Sequence, residues 1–138
     1  MSTRLVHVEP GVTVREAVRR MSEAGVGSVA VCEGSRLAGI FTERDVLRLA
    51  GEHVDLDRVR VADAMTRDVV IVSPDEDIVA AARLMGERRI RHLPVVQGEN
   101  VLGIVGIRDV LGALAERLWR SHDEAAHETV HELLARPR

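Results

Sequence analysis

The sequence predicts a mixed α/β (α+β) fold made of two β-α-β-β-α repeats related by a pseudo-twofold axis, followed by a C-terminal helix. Three observations predict it. The stretch GIFTERDVL at 39–47 returns as GIVGIRDVL at 103–111. Sliding the chain on itself by sixty-four places aligns residues 5–48 with 69–112 without a gap, and fifteen of the forty-four pairs are identical. The whole chain has 138 residues, enough for one core and too few for two ordinary domains, so each copy is half a domain.

The elements follow in order. Each copy opens with a short alternating strand, LVHV or VVIV, which stops at a proline-containing turn. The first helix of copy one starts at Thr13, with Glu16 at capping-box spacing, carries the stripe Val14, Ala17, Val18 and Met21, and stops at Gly25. In copy two Asp77 is the N-cap, and Ile78, Ala81, Ala82 and Met85 repeat the stripe. Methionines at this spacing are core filler. Two strands joined by a glycine turn come next: SVAVC and LAGIF around Gly34, then HLPVV and VLGIV around Gly98. A second helix, ERDVLRLA or IRDVLGALAE, closes each copy. The boundaries are therefore 1–58 for repeat one, 59–115 for repeat two with a lead-in segment, and 116–138 for a helical tail.

Composition narrows the function classes. Nineteen basic against 22 acidic residues give a net charge of −3, so no global positive field draws the chain to nucleic acid or anionic lipid. Phe41 and Trp119 are the sole aromatics, too few for the stacking platforms of single-strand binders. Cys32 has no disulfide partner and reads as a core thiol in a reducing interior. With no apolar signal region and no membrane-span run, the expectation is a soluble, cytoplasmic protein.

The nonapeptide admits two compatible readings. Thr42 ends a strand and Asp45 lies three residues on, the spacing of a capping box, and an Asp in the first helical turn gains from the macrodipole. The same strand-to-helix junction leaves backbone N–H groups free for an anion, and a carboxylate there can accept hydrogen bonds from the vicinal hydroxyls of a ribose. The second copy keeps Gly103, Ile104 and Asp109 but has Gly106 where the first has Thr42; glycine still permits a helix start, without the side-chain oxygen. Arg88, Arg89, Arg91 and His92 crowd the end of the second copy's first helix, where copy one has Ala24, Gly25, Gly27 and Ser28. Arg88 and Arg89 read as a solvated basic face, Arg91 and His92 as phosphate candidates.

The β-α-β-β-α order, the two G-h-x-x-x-x-D elements and HLPVV make the chain resemble a tandem pair of cystathionine β-synthase (CBS) domains, a Bateman module, over about residues 5–112. The segment VADAMTRD at 61–68 resembles the lead-in that precedes the second repeat of such pairs; only MST stands before the first opening strand. The resemblance implies a stand-alone, non-catalytic regulatory module that binds AMP, ADP or ATP in a cleft between repeats. The resemblance further implies that such a module requires no cofactor, forms a homodimer and signals to a target protein. It implies Asp45 and Thr42 on ribose or phosphate and Ile40 against adenine. Ala62, Met65 and Thr66 come from the lead-in, near Arg67. A second set comprises Ile90, Arg91, His92, Ile104 and Asp109, and on this reading the Asp109 site needs an amino-terminal lead-in. The alternative is a constitutive dimeric scaffold with little ligand affinity.

A third reading comes from the tail, where HETVH at 127–131 matches the H-E-x-x-H metal pattern, with His127 and His131 as weak ligand candidates and Glu128 as base. The competing reading is an amphipathic helix capped by Ser121 and Glu124, with the stripe Ala126, Val130, Leu133 and Leu134. That stripe requires a surface to cover it, on its own module or on a second subunit.

Overall fold

A computed structural model describes residues 5–119 and 128–134. These fall into two compact units: Leu5–Val69 with Glu99–Val101, and Val70–Gly98 with the residues from Leu102 onward.

In the first unit, β1 (His7–Val8) runs parallel to β2 (Ser28–Glu33), and β2 pairs antiparallel with β3 (Arg36–Thr42). Helix α1 (Val14–Ala24) lies between β1 and β2 in the chain. Thr13 accepts a hydrogen bond from the Glu16 N–H at 3.2 Å, and Gly25 takes the left-handed conformation at φ 67° to stop the helix. Val14, Ala17 and Met21 are buried as the stripe predicts. They join Val29, Val31 and Phe41 in one core. Residues Ser28–Cys32 are all buried, which places β2 at the centre of its sheet; Cys32 is among them, and burial pushes its thiol up. Between Val31 and Cys32 the register slips by one residue, leaving Ala38 of β3 as a bulge that the sequence did not announce. Helix α2 (Glu43–Gly51) follows β3 directly, and the short α3 (Val61–Ala64) closes the unit with Val61 and Ala64 buried.

The second unit repeats this with α4 (Ile78–Arg88), the hairpin of β4 (His92–Gln97) and β5 (Asn100–Gly106), and α5 (Ile107–Trp119). Its opening strand does not form as the alternation predicts. VVIV makes a single parallel bridge, Val72 with Val95. The cause is Pro94. In the first unit the Ala30 N–H donates to Val6 O at 3.1 Å; the aligned residue of the second unit is Pro94, which has no N–H, so the ladder cannot extend back to Val70.

Residues 128–134 and 59–66 each pack on one of the two units. Residues 128–134, including α6 (Val130–Leu134), pack into the core of the second unit: Val130 and Leu133 are buried beside Ile78, Met85, Val110 and Ala113, with Leu134 packed against them. The stripe therefore covers its own module; Ser121, Glu124 and Ala126 lie outside the described residues. Likewise residues 59–66, grouped by chain order with the second repeat, belong to the first unit, because their backbone bonds run to it. No helix among the described residues is long and apolar enough to cross a membrane.

Candidate ligand-binding site

The first unit gathers six of the expected residues around the end of β3. The segment after α3 runs back along that strand: Ile40 N–H donates to Thr66 O at 3.0 Å and Thr66 N–H to Ile40 O at 2.9 Å. This close approach explains Gly39, since a Cβ there would lie 2.6 Å from both Met65 Sδ and Thr66 O. Ile40 is buried, Ala62 and Met65 half-buried, and Thr66 exposed. Three residues beyond the strand, Asp45 turns back: its Oδ2 accepts from the Thr42 N–H at 2.9 Å and from Thr42 Oγ1 at 3.2 Å. Asp45 is only 8% exposed, one of three buried polar or charged residues among those described. Its other oxygen faces Arg48, whose Nη2 is 3.5 Å from Oδ1 and donates to Ala64 O at 3.0 Å. Arg48 thus ties the carboxylate to the 61–66 segment.

Thr42 and Asp45 satisfy the capping reading and stay compatible with the ribose reading, because holding Oδ2 fixes the direction of Oδ1. A carboxylate oriented in this way can accept charge-assisted bonds from a vicinal diol without first being ordered. At the start of α2 Glu43 stands against Gly27: its N–H donates to Gly27 O at 3.0 Å, and a Cβ on Gly27 would lie 3.1 to 3.3 Å from the Glu43 carboxyl atoms.

In the second unit the same junction carries different chemistry. Asp109 Oδ2 accepts from the Gly106 N–H at 3.0 Å, so the helix start is capped, but Asp109 is exposed. No hydroxyl stands at Gly106, and the residue aligned with Arg48 is Gly112. Two basic residue types lie alongside in the chain trace instead. Ile107 N–H donates to Arg91 O at 2.8 Å, and a Cβ on Gly106 would be 3.8 Å from both Arg91 O and His92 Cδ2. Arg91 and His92 accordingly sit beside the turn that holds Asp109. Ile90 follows α4, its N–H donating to Met85 O at 3.1 Å, and Ile104 is half-buried in β5.

His127 lies outside the described residues, and His131 is exposed on α6. Glu128, expected as a metallohydrolase base, is 4% exposed, and its carbonyl accepts the Ile78 N–H at 2.9 Å at the start of α4. Among the described residues no three His, Cys, Asp or Glu side chains cluster as metal ligands would.

Sequence comparison missed the role of 128–134. The available signal was a second likeness: VRVADAMTR at 59–67 aligns with ETVHELLAR at 128–136, with Val61/Val130 and Arg67/Arg136 identical. Its offset is sixty-nine, so a search at sixty-four passes over it.

Comparison with known proteins agrees with this architecture. The family model described as CBS domain matches residues 1–52 and 61–116. A 33.4 kDa protein of a ribosomal RNA operon in Thermofilum pendens is 44% identical over 122 residues, which cover 84% of this chain and 40% of that protein. A protein with CBS domains from Burkholderia ambifaria superposes with a TM-score of 0.79 at 30% identity, over 88% of this chain and 90% of that one. A CBS domain protein from Pyrobaculum aerophilum, solved in complex with AMP, superposes with a TM-score of 0.75 at 25% identity, over 84% and 95% of the two chains.

Proposed function

The chain belongs to the CBS-domain family, and from that premise we propose that it binds an adenosine nucleotide of the AMP, ADP or ATP class and reports that binding to another protein. The observation that carries this reading is Asp45, a buried carboxylate whose Oδ2 is held by Thr42 at the start of α2. On this reading Asp45 Oδ1 accepts from the ribose hydroxyls, and the adenine lies against Ile40 and the Ala62, Met65 and Thr66 segment. Ile90, Arg91, His92, Ile104 and Asp109 form the second set, with the cations serving phosphate. The AMP complex of the P. aerophilum relative supports the ligand class. The role is regulatory, and no residue is assigned to catalysis or to a required cofactor.

A thermal-shift panel of AMP, ADP and ATP tests the reading. A ligand at a hundred times its Kd stabilises the native state by about 2.7 kcal/mol, which is plainly visible in Tm. Asp45→Ala should weaken binding by ~1.5 to 3 kcal/mol, roughly 10- to 150-fold. Silence from all three nucleotides would leave the constitutive scaffold as the function. The proposal includes a homodimer, because Leu47 on α2 and Leu111, Leu118 and Trp119 on α5 are 55 to 89% exposed. Light scattering at micromolar concentration should give twice the mass of one chain; a monomer would refute this part.

A further inference from the structure

The tail repeats, bond for bond, what residues 59–65 do. In the first unit the Val14 N–H donates to Val59 O, the Val61 N–H to Val12 O and the Ala62 N–H to Pro10 O, at 2.9, 2.8 and 3.1 Å. In the second unit the Ile78 N–H donates to Glu128 O, the Val130 N–H to Glu76 O and the His131 N–H to Pro74 O, at 2.9, 2.8 and 2.9 Å. Each partner on the repeat is displaced by sixty-four residues and each partner on the segment by sixty-nine. The isolated antiparallel bridges obey the same rule, Thr13 with Arg60 and Asp77 with Thr129. So does burial: Val61 and Ala64 in one case, Val130 and Leu133 in the other. Three matched hydrogen bonds, a matched bridge and two matched buried positions fix the registration without any appeal to sequence identity.

We infer that residues 128–134 are a displaced counterpart of the 59–65 segment, placed after the second repeat, and that His131 and Leu134 wall a second adenosine-nucleotide site built on Gly103, Ile104 and Asp109. The inference rests on the nucleotide-binding reading above and extends it to a segment that the reading leaves out. By registration His131 takes the position of Ala62, and Leu134 that of Met65, the side chain that packs on Gly39. Gly103, the counterpart of Gly39, is buried as Gly39 is. The second unit then owns an aspartate at the helix start, an apolar residue on β5, a basic pair beside the turn, and its own segment. The expectation that the Asp109 site needs a lead-in at the amino terminus is replaced by one supplied from the carboxyl side.

The test is calorimetric titration of the full chain with AMP and with ATP. The wild type should bind two equivalents and Asp45→Ala one. Adding His131→Trp, a bulky change at an exposed position, should weaken that remaining event by ~10-fold or more at unchanged Tm. Loss of all binding in Asp45→Ala alone, or a remaining event indifferent to His131→Trp, would overturn the second site while leaving the first intact. A wild type that binds neither nucleotide would overturn both readings together. Hydrogen exchange judges the registration independently of ligand: the amides of Val130 and His131 should be protected like those of Val61 and Ala62, and free exchange at the former pair alone would refute it.

Discussion

The starts of α2 and α5 are the same backbone device in different surroundings. In both, a carboxylate three residues into the turn accepts the N–H of the residue that ends the strand, at 2.9 and 3.0 Å. At α2 a threonine hydroxyl and an arginine that bridges to Ala64 O reinforce it, and the aspartate is buried. At α5 glycine stands for both the threonine and the arginine, the aspartate is exposed, and Arg91 and His92 flank the turn. Capping is thus satisfied in both copies, and cannot be what distinguishes them. The difference lies in what each junction can offer a polyhydroxyl or an anion: the first an oriented, partly desolvated acceptor, the second a wetter acceptor with Arg91 and His92 beside its turn.

Three substitutions would break or sharpen that contrast. The largest effect is expected at the strand rather than at the helix. Gly39→Ala places a Cβ 2.6 Å from Met65 Sδ and Thr66 O, and forcing the segment away should cost ~1 to 3 kcal/mol in chemical denaturation. The same midpoint as wild type would show that the 65–66 contact is dispensable. Gly106→Thr should be tolerated, because its Cβ would meet nothing closer than Asp109 Oδ2 at 3.6 Å. It restores the hydroxyl and should tighten nucleotide binding at the second set by ~0.5 to 1.5 kcal/mol, read by titration in the Asp45→Ala background. Unchanged affinity would mean the threonine is a cap and nothing more. The smallest effect concerns helix ends: Gly25 and Arg89 both close their helices in the left-handed conformation, at φ 67° and 54°. Arg89→Gly should stabilise the protein by about 1 kcal/mol, visible as a raised denaturation midpoint; an unchanged or lowered midpoint would refute it.

Much of this was legible in the chain, and the exceptions have specific causes. The stripes Val14, Ala17, Met21 and Ile78, Ala81, Met85 could be read directly because helical periodicity is local. The same holds for the glycine turns at 34 and 98, whose positive φ the structure bears out. The weak opening strand of the second repeat was hidden, because alternation in VVIV says nothing about the partner, and the partner's missing N–H at Pro94 decides the ladder. The bulge at Ala38 was hidden for a similar reason: register is settled between strands, not along one. The surface under the tail was left open between two alternatives, because an amphipathic stripe names a buried face without naming the surface that buries it. Around the candidate site, the sequence pointed to Thr42 and Asp45 but not to Arg48, whose role depends on a carbonyl sixteen residues away.

The position of α6 also bears on how the molecule comes off the ribosome. The first unit has its helices, its three-stranded sheet and the 59–66 segment once residue 66 has emerged, whereas the second must wait for residue 134, sixty-eight residues later. At ~5 to 20 residues per second that gap is roughly 3 to 14 seconds, long on the scale of helix and hairpin formation. During it the apolar faces of α4 and α5 stand without Val130 and Leu133 to cover them. The core of the first unit can close while the second is still an open half-core, so the two halves of the molecule differ in how long their apolar surface meets water during synthesis.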